Sequence, residues 1–119
     1  MAPLKKFFSR KNEVVGQEIQ KSVRIDNFTA PSTIAKGKKL EIVVSGNFSN
    51  LGWHLAEATA KVQNNQILLT VIGKKKSGMM AAQALKPYQT IIVVKGLKKG
   101  EYTMKAEMGT TETILLKVV

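Results

Sequence analysis

Lysine is the residue type that dominates the chemistry of this sequence. The 119-residue chain carries 19 Lys and Arg residues against 8 Asp and Glu residues, a formal net charge of +11, and all but two of the 19 are Lys. This balance predicts attraction to an anionic partner: nucleic acid, an anionic lipid surface, a cell-wall polymer or an acidic protein. The alternative is that the charge only keeps a β-rich surface soluble, because exposed Lys also protects strand edges from aggregation. The sequence leaves both interpretations open.

Residues for catalysis or metal binding are few. The chain has no Cys, which excludes disulfides, thiolate metal sites and cysteine nucleophiles. The single histidine, His54, stands beside Trp53 without a carboxylate pair close in sequence, so neither a metal site nor an acid/base pair is predicted. No glycine-rich phosphate-binding motif is present. We therefore expect no enzyme activity, no metal and no cofactor.

Seven short segments with strand character must position these side chains. Each segment ends at turn residues, and no long helical pattern occurs. Tyr102 and Met104 alternate with Glu101 and Thr103, which is typical of a sheet with one buried face. The pattern predicts an all-β fold, a seven-stranded antiparallel immunoglobulin-like or fibronectin-III-like β-sandwich over residues 17–119, preceded by an N-terminal arm at 1–16. The predicted strands are 19–28, 40–45, 53–63, 66–72, 88–95, 101–108 and 113–119.

A motif of three residues lies between the fifth and sixth predicted strands. Leu97-x-x-Gly100-x-Tyr102 has the form of a tyrosine corner, in which a Tyr hydroxyl bonds back across a crossover between sheets. Gly permits the unusual backbone of so tight a turn, and a buried phenol needs a hydrogen-bond partner. We therefore expect Leu97, Gly100 and Tyr102 to be structural.

A longer stretch around this motif carries a family resemblance. The segments QALKPY at 83–88 and GLKKGEYT at 96–103 resemble small bacterial extracytoplasmic, often lipoprotein-type, domains of immunoglobulin-like fold and mostly uncharacterised function. The resemblance implies an immunoglobulin-like fold and supplies no catalytic residues. Such domains often carry two cysteines, and Ala81 and Trp53 stand in those places here. We expect an extracytoplasmic location if the resemblance holds, and a cytoplasmic one if Met1 is the native start.

The predicted topology also groups the lysines. In such a sandwich, alternate loops share one pole, and six lysines would meet there in a geometry-tolerant site for phosphates. A flexible basic loop over 73–78 would lie at the opposite pole. The six lysines of the predicted site are Lys36, Lys38, Lys39, Lys61, Lys98 and Lys99.

The segments 66–72 and 88–95 break the alternation, because they are apolar on both faces. Placed as neighbours, they would form an exposed apolar patch from Leu68, Ile92 and Val94. Patches of this kind usually mark an interface. Two occupants stay open: a second copy in a homo-oligomer, or the N-terminal arm with Phe7 and Phe8.

Three functional hypotheses result. The first is a non-catalytic interaction module that binds an unknown protein partner or itself. The second is non-specific binding of a polyanion, such as nucleic acid or an anionic surface, through the lysine-rich pole. The third is a proteinase inhibitor that presents the loop 46–53 with Trp53 at its tip, although a Trp in this place is more often a core residue of the third strand. No apolar run reaches the ~18–20 residues of a membrane span, so no transmembrane segment is predicted.

Overall fold

The computed structural model describes residues 17–78 and 81–119, and these residues form nine strands in two sheets. The predicted arm at 1–16 lies outside the described residues. Within them, no helix is long and apolar enough to cross a membrane. The strands are β1 Glu18–Val23, β2 Asn27–Thr29, β3 Thr33–Ile34, β4 Leu40–Phe48, β5 His54–Gln63, β6 Gln66–Lys76, β7 Lys86–Val94, β8 Gly100–Ala106 and β9 Thr113–Val118.

The smaller sheet has the order β2-β4-β7 and is antiparallel throughout. β4 and β7 pair over nine residues each, from Leu40 opposite Val94 to Phe48 opposite Lys86. β4 alternates between buried and outward side chains, so that Ile42 and Val44 face the other sheet. This alternation is the pattern of a strand with one face on a core.

The larger sheet has six strands and is organised around β6. One edge of β6 pairs with β5, and the hairpin between them turns at Asn64 and Asn65, whose φ angles of 51° and 64° suit the tight hairpin that the sequence predicts. The other edge pairs with β8 near Gln66 and with β1 near Lys76. β9 and then β3 complete the sheet. The pairs β6–β8 and β3–β9 are parallel, whereas the predicted sandwich has antiparallel pairs only.

The core lies between the two sheets, and every element except β1, β3 and β5 contributes fully buried or nearly buried side chains to it. Tyr102 and Met104 point inward, as their alternation predicts. The largest side chains that are almost wholly removed from water are Ile25, Leu40, Ile42, Ile67, Leu69, Met104 and Leu116. The chain is therefore an all-β sandwich, as predicted.

The strand number and several boundaries differ from the prediction. The expected first strand, 19–28, divides into β1 and β2 because Ile25 leaves the ladder and bridges to Gly109. β3 is only two residues long, too short to leave a periodic signal. The basic stretch 73–76, expected as a loop, is the end of β6, since pairing with β1 and β5 holds it extended.

The corner between β7 and β8 carries the chain from the smaller sheet to the larger one. Leu97 and Tyr102 are buried, and Gly100 has a φ of 146°. The Tyr102 hydroxyl donates a hydrogen bond to the carbonyl oxygen of Lys98 at 2.8 Å. The bond closes the turn and gives the buried phenol its partner.

Candidate functional site

One end of the sandwich gathers loops that are distant in sequence. Lys36 donates its backbone N–H to the Val119 carbonyl at 2.7 Å, and Gly100 pairs with Val118 at the same end. The β4 residue Leu40 pairs with Val94, which brings the turn before β4 beside the connection that follows β7. The exposed lysines at this end, which we call the loop pole, are Lys36, Lys38, Lys39, Lys95, Lys98 and Lys99.

The loop pole keeps most of its positive charge. Lys39 Nζ lies 3.4 Å from Glu41 Oε2, and about half of each side chain is exposed. Surface pairs of this kind contribute only about 0–1 kcal/mol and are screened by salt. Among the described residues, no other ion pair involves a lysine of the loop pole. Lys95 is not in the predicted set, because the sequence places it at the end of a strand rather than in a loop.

Lys61 does not belong to the loop pole, and this part of the prediction is wrong. Lys61 pairs with Leu68, which in turn pairs with Lys105. Lys105 is five residues beyond Gly100 along β8, or about 17 Å at the usual rise of a strand. The β5–β6 hairpin stops level with Thr103, so it does not reach the end of the sandwich.

The predicted apolar patch also needs correction. β6 and β7 lie in different sheets, and Ile92 and Val94 are buried, with 2% and 8% of their surface exposed. Leu68 is half-buried on the outer face of the larger sheet. When a strand is apolar on both faces, its sequence does not show which alternate residues face the core. In β7, the pairing with β4 determines that Ile92 and Val94 do.

Other aliphatic side chains occupy the outer face of the smaller sheet. Ile91 is 54% exposed and Val93 is 47% exposed. Val43 pairs with Ile91 across the sheet and is half-buried. We call Val43, Ile91 and Val93 the apolar strip.

The end opposite the loop pole has a second basic cluster, which surrounds Trp53. Trp53 is only 5% exposed and belongs to the core, so it does not stand at the tip of a presented loop. The ammonium groups of Lys21 and Lys75 lie 5.5 and 5.1 Å from the centre of its ring. Lys86 Nζ donates to the Trp53 carbonyl at 2.9 Å and lies 3.1 Å from His54 Nδ1.

A cavity of about 620 Å³ opens beside this cluster, and its lining includes His54, Lys74, Lys75 and Lys76. The three consecutive lysines are evident as a basic run in the sequence, but their proximity to His54 is not. No local signal could have revealed the cluster, because the contact of Lys86 with His54 spans 32 positions.

Tyr88 connects the smaller sheet to the segment between β1 and β2. Its hydroxyl donates to the Arg24 carbonyl oxygen at 2.6 Å. Burial, and secondarily the negative charge of Asp26, raise the pKa of Tyr88 from 10.0 to about 12. The phenol therefore stays protonated and able to donate over the whole neutral range.

The acidic and imidazole side chains of the described residues are dispersed over the sandwich. Within 17–78 and 81–119, no group of three or more His, Asp and Glu side chains is arranged to hold a metal ion. His54 has Lys86 as its neighbour, and a cation is not a metal ligand.

Comparison with known proteins identifies one family. No curated protein and no solved structure gives a significant match. The family model described as the ORF11 beta-sandwich domain matches residues 42–116, which is more than half of the 119-residue chain and runs from β4 into β9. The two packed sheets agree with the architecture in that description. The chain therefore belongs to the ORF11 beta-sandwich domain family.

Proposed function

We propose that the protein is a non-catalytic interaction module whose partner is a polyanion, held by the loop pole. One observation carries the proposal: two loops that each cross between the sheets bring six exposed lysines together with a single ion-paired carboxylate. A phosphodiester polymer would replace the condensed cations along its backbone with these ammonium groups. Lys lacks the planar fork of Arg, so the expected binding tolerates many geometries and reads no base sequence.

The test compares two double variants that remove the same charge from different places. Lys98→Ala/Lys99→Ala strips the loop pole, and Lys61→Ala/Lys105→Ala strips the middle of the larger sheet. Binding to labelled duplex DNA is measured by fluorescence anisotropy as salt rises from about 50 to about 200 mM. Each lost phosphate contact reduces the magnitude of the slope of log affinity against log salt by about 0.9. The slope of the loop-pole variant should therefore be smaller than that of wild type by about 2, and the slope of the control should change much less.

Two results would count against this function. If wild type shows no detectable binding to DNA at low salt, polyanion binding is excluded as the function. Equal losses in the two double variants would mean that net charge alone attracts DNA and that the loop pole is not a site.

A second function, association with a protein or with a second copy of the chain, is favoured by the apolar strip. Removing a half-exposed Ile91 or Val93 side chain from water would contribute about 1 kcal/mol each. The net charge of +11 opposes pairing of two copies, so self-association should strengthen as salt screens the repulsion.

Sedimentation velocity over a range of concentrations tests self-association. We expect association of wild type to be lost in Ile91→Asp and kept in Leu115→Asp, because Leu115 is 71% exposed on the other sheet. Wild type that stays monomeric at every concentration and salt would exclude the second copy.

We also propose that the sandwich is a variant of the immunoglobulin-like fold. The hydrogen bond from Tyr102 to Lys98, at a crossover between sheets, supports the assignment of a tyrosine corner. The two parallel pairs and the two additional short strands would then be departures from the seven-stranded pattern. Kinship with the bacterial extracytoplasmic domains rests on the same corner and on the segment 83–88.

A further inference from the structure

We propose that the cavity beside Trp53 is a second anion site, which binds the di- or triphosphate group of a small ligand. It is independent of the loop pole, which lies at the other end of the sandwich. We call it the Trp53 pocket and define it by His54, Lys74, Lys75 and Lys76, which line it, together with Lys86.

Strand geometry explains why lysines converge here. Side chains alternate along β6, so Lys75 continues the inward series of Val71 and Gly73 past the end of the core. Lys74 and Lys76 take the other face, and Lys74 pairs with His54 of β5. The three lysines therefore line the cavity from both faces of the same strand end.

Trp53 and His54 hold two of the surrounding lysines in place. Lys75 lies 5.1 Å from the Trp53 ring centre, within the range of a cation–π contact. Lys86 is fixed by the Trp53 carbonyl at 2.9 Å and by His54 Nδ1 at 3.1 Å. Lys86 Nζ can only donate, so His54 Nδ1 is the acceptor of this contact, and His54 itself lines the cavity.

One carboxylate, Glu18, also lines the cavity and offsets part of its positive charge. Glu18 Oε2 lies 4.0 Å from Lys74 Nζ, and both side chains are about half exposed. In the parts of the chain that the structure describes, Lys21, Lys75, Lys76 and Lys86 form no ion pair. Several like charges held around a concavity raise the local potential for an anion, which would relieve their mutual repulsion.

The shape and composition of the pocket define the ligand class. Its volume of about 620 Å³ lies within the range of small-molecule sites. Trp53 is packed into the core, so its face is not available to stack on a base. Recognition would therefore act on a compact, multiply charged group, which a di- or triphosphate supplies. Inorganic polyphosphate and nucleotides share this chemistry.

Trp53 provides the assay, because it is the single Trp in the chain. Indole emission responds to nearby charge, and two ammonium groups lie within 5.5 Å of this ring. Wild type is titrated with inorganic tripolyphosphate while Trp emission is recorded, and the affinity is checked by calorimetry. We expect saturable binding with a shift in emission. Adenosine triphosphate is titrated in parallel: equal affinity would identify the phosphates as the whole determinant, and tighter binding would indicate a nucleotide.

Matched variants locate the site. Lys75→Met keeps the length of the side chain and removes its charge, and we expect it to weaken tripolyphosphate binding about tenfold, the effect of one lost charged hydrogen bond. Lys98→Met removes the same charge at the loop pole and should leave the affinity nearly unchanged. Thermal unfolding of both variants shows that the fold is retained.

Two outcomes would overturn the proposal. One is the absence of saturable binding by both emission and calorimetry at low salt. The other is equal weakening by Lys75→Met and Lys98→Met, which would reduce the effect to net charge. Neither outcome bears on the DNA test of the loop pole, since that test uses another probe and leaves Lys75 unchanged.

Discussion

Gly109 should be the glycine least tolerant of substitution, because the backbone of Ile25 crosses directly over it. Ile25 is fully buried and forms an isolated bridge with Gly109. Its N–H donates to the Met108 carbonyl at 2.8 Å, and its carbonyl accepts from Thr110 N–H at 2.8 Å. Gly109 has a φ of +117°, and a Cβ there would overlap the Ile25 carbonyl oxygen and lie 2.6 Å from the Ile25 nitrogen.

The cost of Gly109→Ala can be estimated from these contacts. A non-glycine residue at this φ costs about 1–3 kcal/mol in backbone strain. Separating the two strands of backbone enough to fit a methyl group would weaken both Ile25 hydrogen bonds, each of which contributes about 0.5–1.5 kcal/mol net. The sum is about 2–6 kcal/mol, against a total stability of about 5–15 kcal/mol for an ordinary domain. The melting temperature should fall by roughly 10 °C or more.

Gly37→Ala is the matched control. Gly37 also has a positive φ, +89°, but nothing lies within 4 Å of the place that an alanine methyl group would take. The control therefore carries the strain of the backbone without the collision. Free energies of unfolding from urea titrations should show Gly109→Ala to be the less stable variant by about 1–3 kcal/mol, the contribution of the two hydrogen bonds. Equal destabilisation of the two variants would refute the close crossing at Ile25.

Three further perturbations have defined outcomes. Tyr102→Phe removes the bond to Lys98 and should lower the free energy of unfolding in urea by about 0.5–1.5 kcal/mol; DNA binding should be unchanged, and an unaltered stability would contradict the role of the corner. Tyr88→Phe tests the raised pKa of Tyr88, because the phenol loses its proton near pH 10 in the unfolded chain and near pH 12 in the folded one. In thermal melts, the stability advantage of wild type over this variant should therefore decline between pH 10 and pH 12. An advantage that stays constant over this range would contradict the raised pKa. Leu69→Ala removes a fully buried side chain and should cost about 2–5 kcal/mol in urea; Leu115→Ala, at an exposed site, should change stability by no more than about 0.5 kcal/mol.

Local patterns in the sequence were sufficient for the fold class. Alternation of apolar and polar residues predicts the buried side chains of β8, because the side-chain period of a strand is two in any context. Asn64 and Asn65 predict their hairpin for a similar reason, since both tolerate the positive φ angles that the turn requires. These properties depend on residues that are neighbours along the chain.

Pairing between distant strands decided the rest. In the run of four aliphatic residues at 91–94, either alternate pair could face the core. Only the register with β4 buries Ile92 and exposes Ile91. The same kind of register determines that Lys61 stays away from the loop pole. A shift of one residue exchanges the two faces of a strand, and no local pattern forbids that shift when both faces are apolar.

The loop pole and the Trp53 pocket also depend partly on the sequence and partly on the tertiary structure. The sequence by itself determined that the chain is strongly basic and that its lysines occur in short runs. Tertiary structure alone brought Lys86 onto the carbonyl of Trp53, 33 positions away, and gathered the β3–β4 turn beside the β7–β8 connection. The reason is physical: charge is a property of composition, whereas a site is a set of distances, and those distances are set by the packing of two sheets around one core.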